Sequence, residues 1–236
     1  MTYSPVIYSW RSTLVPLDQT FRAGGQATSG GMTLGGAMIS NPEPGGRSEI
    51  NMSFSAFTSE AQNVDASWTI SQILNGAVMR IPVFGYTVQT LSAASAGGSV
   101  SNEDGLPWGN DQNWSNGMGW EWNPTVSVTA SALKGSTLVS VDMSALGEVL
   151  LIGHVIGFNV NGYDFAHKVM AISYDGSDVA TLTISPPLRR DLTTDSEMTF
   201  RPKMLVTCSN AREVAGMFSR GRHMQFNTAQ FVESLV

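Results

Sequence analysis

The sequence predicts a mainly β protein with one flanking helix, in which a small β-barrel or sandwich module interrupts a larger β-sandwich domain. Three observations support this fold class. Residues 136–201 form successive short segments in which apolar and polar side chains alternate, with turn residues between them. Only 14% of the 236 residues are charged and 24 are glycine, a composition typical of turn-rich β structure. Helical periodicity is clear in a single segment, at residues 60–77.

The N-terminal third predicts a strand at residues 6–10, which residues 14–21 continue after a bend. Residues 23–36 are almost of low complexity, and side chains there are small. Ordering such a segment costs much conformational entropy, so it is either a mobile loop or an arm that becomes ordered on assembly. Both interpretations remain open.

A strand, a helix and a second strand are predicted at residues 48–84. Residues 48–57 alternate, with four apolar side chains on one face. Thr58 or Ser59 can cap the helix, and Asn75-Gly76 ends it. Pro82 restricts the following strand, residues 78–84, to a sheet edge or a bulge. The apolar stripe predicted for the helix consists of Ala66, Ile70, Ile73, Leu74 and Ala77.

Turn chemistry divides residues 136–201 into strands. Asn161-Gly162 accepts the positive φ values of a tight hairpin turn, and Asp175-Gly176 is the next hairpin signal. Residues 179–184 then alternate until Pro186-Pro187 ends the strand. We expect a β-module of about the smallest size that folds alone.

Residues 86–125 contain a segment with four of the six tryptophans, Trp108, Trp114, Trp120 and Trp122, among Gly, Asn and Asp. A loop of this length in a compact domain indicates function or an interface. Tryptophan is enriched in interface hot spots, so these residues are candidate anchors for a neighbouring subunit. Two alternatives remain: the indoles bind carbohydrate, or they fold back as the local core of the loop.

Other candidate sites are weaker. Glu103, Asp104 and Asp111 could bind calcium, but their spacing does not match a known acidic loop, and solvated turn carboxylates are commoner. His154 and His167, with Asp164, could bind zinc or transfer protons, but no third ligand or recognisable motif accompanies them. We therefore predict no catalytic, cofactor-binding or metal-binding residues and no enzymatic activity.

Charge and cysteine content narrow the function further. The formal net charge of −6 argues against a nucleic-acid grip, which needs a basic face. Cys208 is the only cysteine, so no disulfide framework exists, and we interpret it as a small apolar strand residue. No apolar run approaches ~20 residues, so no membrane span is expected.

Two small basic groups are candidate interface residues: Arg189 and Arg190, and Arg220 with Arg222 beside His223. They could pair with acidic patches of neighbouring subunits. The alternative is that both are ordinary solvated turns.

The pattern of motifs resembles the distal tail and minor tail proteins of long-tailed bacteriophages. Four features carry the resemblance: a strand at residues 135–139, a hairpin at 153–169 with a Tyr-Asp-Phe-Ala-His sequence, a Pro-Pro-Leu-Arg ending at 186–189, and a closing Val-Glu-Ser-Leu at 232–235. Upstream, residues 47–85 also resemble that family, with a strand, a helix containing Trp68 and a second strand. Residues 86–125 depart from the pattern.

The resemblance implies a tail-tube-like ring domain formed by residues 1–124 and 202–236, with a β-barrel module, residues 125–201, inserted in it. It further implies a non-enzymatic virion protein made in the host cytoplasm, and a hexameric ring that lines the DNA channel. The implied partners are the tail tube protein, a hub or baseplate protein and the tape-measure protein, without sequence-specific nucleic-acid binding. A tail-tube or tube-terminator subunit, and a carbohydrate-binding module that uses the tryptophans, are the alternative functions.

Overall fold

The structure is a computed structural model that describes residues 6–24, 45–83, 125–214 and 227–235, together with the backbone of residues 27–32, 38–42, 92–93 and 98–99. The predicted mainly β class is confirmed. The strands are β1 (Ile7–Ser9), β2 (Asp18–Arg22), β3 (Ala27–Met32), β4 (Met38–Pro42), β5 (Glu49–Ser53), β6 (Val78–Pro82), β7 (Ser92–Ala93), β8 (Gly98–Ser99), β9 (Thr125–Ser127), β10 (Leu138–Asp142), β11 (Val155–Val160), β12 (Tyr163–Tyr174), β13 (Val179–Ser185), β14 (Glu197–Thr199), β15 (Lys203–Cys208) and β16 (Ala229–Glu233). The helices are α1 (Glu60–Leu74) and the single turn α2 (Ala211–Val214).

Contacts within the chain divide it into two units. The first, the sheet unit, comprises Met1–Val83 and Lys203–Val236, and the second, the barrel unit, comprises Phe84–Pro202. The sequence predicts that residues 84–124 belong to the first unit, whereas the contacts assign them to the barrel unit.

The sheet unit is built on a six-stranded sheet in the order β1-β6-β15-β16-β5-β2, in which β1 is parallel to β6 and the other neighbours are antiparallel. Alternate residues of its central strands are buried on one face, among them Ile50, Met52, Met79 and Phe231. The other face of β6 and β15 is covered as well, because Val78 and Leu205, which point to it, are also buried.

A buried carboxylate joins the C-terminal strand to the segment before β5. The Ser48 amide donates to Glu233 Oε2 at 2.9 Å, and the Glu233 amide donates to the Ser48 carbonyl at 2.8 Å. Both residues are almost fully buried, and the bond from the Ser48 amide gives the buried Glu233 side chain a polar partner. These bonds tie the C-terminal strand to the chain that enters β5.

Helix α1 begins as the sequence predicts. Ser59 is its N-cap, and a complete capping box links the Ser59 and Gln62 side chains to each other's backbone amides. The helix ends at Asn75-Gly76, where Gly76 has φ +72°.

The predicted buried stripe of α1 is partly wrong. The buried residues are Ala66, Thr69 and Ile73, whereas Leu74 is exposed. Leu74 follows Ile73 by one residue, about 100° around the helix, and so falls outside the buried side.

The barrel unit contains a second six-stranded sheet, fully antiparallel, in the order β10-β13-β12-β11-β14-β9. Its two edge strands meet at a bridge between Val128 and Val141, where the Thr129 amide also donates to the Ser140 carbonyl at 2.9 Å. The sheet therefore curls until its edges touch, which removes most of the exposed strand edge. Its core consists of Val126, Val128, Val139, Val141, Met143, Leu150, Ile156, Phe158, Val169, Ala180, Leu182, Ile184, Leu188, Leu192, Met198 and Phe200.

The hairpin signals of the barrel are confirmed with one adjustment. Asn161 and Gly162 have φ values of 53° and 81° and connect β11 to β12 as a two-residue turn. The turn at Asp175-Gly176 connects β12 to β13, but the residue with positive φ is Asp178. The turn is held by Asp175 Oδ1, which accepts from the Ser177 and Val179 amides. Strand β13 ends before Pro186, as expected.

Three further expectations are wrong. The low-complexity stretch at 23–36 is not a loop throughout, since β3 lies in it and pairs with β4. Pro82 is not on an edge strand, because β6 lies between β1 and β15 and tolerates proline as its last residue. The strand predicted at 48–57 ends at Ser53, so Ala56 is exposed and Phe57 is buried instead.

Candidate functional site

The solvent-facing side of α1 is free of charge over its central turns. Val64, Ser67, Ser71 and Leu74 follow one another at helical spacing and are all exposed, and we call them the outer face of α1. Val64 is 61% exposed and Leu74 is 50% exposed. The Ser71 hydroxyl donates to the Ser67 carbonyl at 3.0 Å, so its donor is already used inside the helix. The Ser71 hydroxyl therefore needs no partner from a protein that covers this face.

Next to this face, Trp68 is fixed between two side chains of the N-terminal segment. The Arg11 guanidinium lies 4.1 Å from the centre of the indole ring, and the Tyr8 ring meets it edge-on with centroids 5.4 Å apart. Asp65 holds Arg11 by an ion pair at 3.6 Å and accepts from the Thr13 hydroxyl at 2.6 Å. Tryptophan, tyrosine and arginine are the residue types that dominate protein interfaces.

This cluster is not evident from the sequence. The one local signal is a tryptophan in an amphipathic helix, three residues after an aspartate. Its partners are more than 50 residues away in the chain, and nothing local points to them.

The predicted basic pair Arg189 and Arg190 lies in the loop after β13. The Arg190 guanidinium stacks over the Tyr163 ring at 3.8 Å, so it packs against the start of β12 within the barrel. Both arginines are half-buried. Arg190 therefore has a structural contact of its own in addition to the predicted interface role.

His154, His167 and Asp164 are used separately. His167 is fully buried in β12, and its Nδ1 lies 2.8 Å from the Pro186 carbonyl, to which it must donate because a carbonyl only accepts. Asp164 Oδ1 accepts from the Asn159 side-chain amide at 2.8 Å. His154 Nδ1 accepts from the Leu151 amide at 3.1 Å. The three side chains thus bond to three different partners.

The turn at residues 151–154 exposes two apolar side chains. Leu151 and Ile152 are 61% and 67% exposed, and Gly153 has φ +96°. The His154 amide donates to the Leu151 carbonyl at 3.1 Å, which closes a four-residue turn with glycine at its third position. Met170 is also exposed. It follows Val169, whose carbonyl accepts a hydrogen bond from the Gly153 amide.

The remaining predicted site residues lie outside the described part of the chain. They are Trp108, Trp114, Trp120, Trp122, Arg220, Arg222, Glu103, Asp104 and Asp111. In the residues that the structure does describe, no group of three or more His, Cys, Asp or Glu side chains could hold a metal ion. No helix of that part is long and apolar enough to span a membrane.

Cys208 is half-buried at the end of β15, and its thiol lies 3.4 Å from Asn210 Oδ1. Burial raises the pKa of this thiol. The interpretation of Cys208 as a strand residue rather than a reactive thiol agrees with that environment.

The chain matches no protein-family profile, and it matches no curated protein sequence.

Proposed function

We propose that this chain is a structural subunit of a bacteriophage tail, of the distal tail type, and that it forms a ring joining the tail tube to the hub or baseplate. The observation that carries the proposal is the architecture of the chain. A sheet with one capped helix is built from both ends of the chain and is interrupted by a barrel with its own core. The interruption falls between Pro82 and Lys203, which are register partners in β6 and β15.

The composition of the surface supports assembly from copies of the chain. Each copy has a formal net charge of −6, so copies repel one another unless they meet where charge is low. The outer face of α1 meets this condition, because its four residues are uncharged and two of them are apolar and exposed. We assign this face to the contact between neighbouring subunits.

The barrel is assigned to partner proteins of the baseplate or the fibres. Leu138, Leu151, Ile152 and Met170 are all at least half exposed. Isolated apolar side chains on a surface are common, but two adjacent ones at the tip of a turn are suited to insert into a partner.

The experiment is the assembly state of the full-length protein. Mass photometry and negative-stain electron microscopy at increasing concentration should show a closed ring with an open lumen. Val64→Glu with Leu74→Glu should shift the equilibrium to monomers, because each added carboxylate would be buried against a like-charged copy. Ser173→Glu, at an exposed position of the barrel, is the matched charge control and should still form rings.

A protein that stays monomeric at every concentration would overturn the ring. Rings that stack into long tubes would indicate a tail-tube subunit instead. A monomer that binds polysaccharide would favour the carbohydrate-binding function.

A further inference from the structure

The turn at residues 151–154 is closed by the histidine side chain as well as by the backbone. The Leu151 amide donates to His154 Nδ1 at 3.1 Å, while the His154 amide donates to the Leu151 carbonyl at 3.1 Å. On the other side, Gly153 and Val169 are joined by an amide-to-carbonyl bond of 2.8 Å, and the Val169 amide donates to the His154 carbonyl at 2.8 Å. The imidazole thus ties the first residue of the turn to the last, while the backbone of Gly153 and His154 attaches the turn to β12.

The bond from the Leu151 amide fixes the chemical state of the imidazole. Nδ1 can accept this hydrogen bond only if it carries a lone pair, so the ring is neutral and its proton is on Nε2. When the ring is protonated both nitrogens become donors, and Nδ1–H then faces the N–H of Leu151. The same side chain therefore closes the turn when neutral and opposes closure when charged.

We propose that residues 151–154 form an acid-sensitive clamp: neutral His154 holds the apolar Leu151–Ile152 tip in place, and protonation at Nδ1 releases it. The clamp is independent of ring formation and of the tail assignment. It makes the position of the two most exposed apolar residues of the turn depend on pH on the acid side of neutrality, because burial lowers the pKa of a side chain that ordinarily titrates near neutrality.

Neighbouring charges do not replace this control. The titratable residues on the adjoining segments are Glu148, His167, Lys168 and Tyr174. Lys168 is the register partner of Val155, the residue after His154. Because successive side chains of a strand point to opposite faces, Lys168 projects from the face opposite to that of His154. The Tyr174 hydroxyl is bonded to the Leu150 backbone. His167 Nδ1 is bonded to the Pro186 carbonyl, and Glu148 acts on Tyr174. Burial alone lowers the pKa of His154, which favours the neutral, clamped form at neutral pH.

The experiment is an NMR pH titration of the full-length protein between pH 8 and pH 5. In the wild type, the nitrogen shifts of the His154 ring should report the Nε2–H tautomer at high pH. The hydrogen-exchange protection factor of the Leu151 amide should fall about fivefold or more, the equivalent of one typical hydrogen bond, with the midpoint of the ring titration.

Two variants complete the test. His154→Asn places an amide oxygen where Nδ1 was and does not titrate, so Leu151 should stay protected at both ends of the range. His154→Leu has no acceptor, so Leu151 should be unprotected throughout. The clamp proposal would be overturned if the neutral His154 ring of the wild type carried its proton on Nδ1, and this measurement requires no variant. So would Leu151 protection that is constant through the titration, or a loss in His154→Asn equal to that in the wild type.

Discussion

Pro202 lies against Gly157 so closely that a side chain has no room between them. A Cβ placed on Gly157 would be 2.8 Å from the Pro202 Cα and 3.1 Å from the Thr199 methyl group. Gly157 faces Thr199 of β14 in the register of the sheet, so the chain leaving β14 packs directly on the backbone of β11.

We expect Gly157→Ala to destabilise the protein by about 1–3 kcal/mol, because the added methyl group meets backbone atoms that cannot rotate away. Chemical denaturation of the full chain measures the change. Gly176→Ala is the control, since nothing lies within 4 Å of a Cβ there, and it should be close to neutral. Equal stability of the two variants would mean that Pro202 does not pack on Gly157.

Thr69 on α1 is fully buried, and its hydroxyl has no hydrogen-bond partner among the described residues. Thr69→Val keeps the shape and removes this oxygen, so the free energy of unfolding should rise by about 1 kcal/mol. Thr69→Ser keeps the hydroxyl and removes a methyl group, so it should lower the melting temperature. A valine variant less stable than wild type would show that the hydroxyl is satisfied in solution.

His167 supports the chain after β13 through its bond to the Pro186 carbonyl. His167→Phe fills the space but supplies no donor, and we expect a loss of about 1–3 kcal/mol. His167→Asn places an amide nitrogen near the position of Nδ1 and should be less damaging than alanine. Metal analysis of the wild type and of the double variant with His154→Asn should be the same, and loss of a bound ion would reveal a metal site.

Cys208 should react slowly with a disulfide reagent at pH 8, because burial raises the pKa of its thiol and keeps the thiolate fraction low. The unfolded chain in denaturant is the control and should react faster. The raised pKa also makes stability depend on pH, because the folded thiol keeps its proton to a higher pH than the unfolded thiol, whose pKa is 9.0. The contribution is therefore present below about pH 9 and lost as the pH rises through the raised pKa. A folded protein that reacts as fast as the unfolded chain would contradict this.

The barrel should fold without the rest of the chain, because its core residues all lie between Val126 and Phe200. A fragment of residues 125–202 should give a β-type circular dichroism spectrum and a cooperative thermal transition. A fragment of residues 125–190 lacks β14, the common neighbour of β9 and β11, and should not fold. A disordered 125–202 fragment would show that residues 84–124 are needed.

The sequence predicted best those features that local chemistry determines. Ser59 caps a helix and Asn161-Gly162 turns a hairpin because of side chains within a few residues of each other. Pro82 was misassigned because the position of a strand in a sheet depends on partners far away, here Lys203. β3 was missed because glycine-rich sequence has low strand propensity, and pairing with β4 outweighs it.

The same reason limits prediction of the candidate site. The Trp68–Arg11 stack and the closure of the barrel by Val128 and Val141 both join residues that no sequence period relates. The role of His154 depends on which ring nitrogen meets a backbone amide, which the sequence does not specify.

The pairing of Pro82 with Lys203 also determines when the two halves of the protein can fold during synthesis. After β6 leaves the ribosome, roughly 120 residues must be translated before β15 can pair with it, which takes on the order of 10 s. The barrel emerges whole in that interval, while β5 and β6, which are paired with β2 and β1 on one side only, each keep an open edge. β16 lies between β15 and β5 and emerges after every other described strand, so the sheet unit matures last. A nascent chain stalled before Ala229 would therefore carry a finished barrel on an open, aggregation-prone sheet.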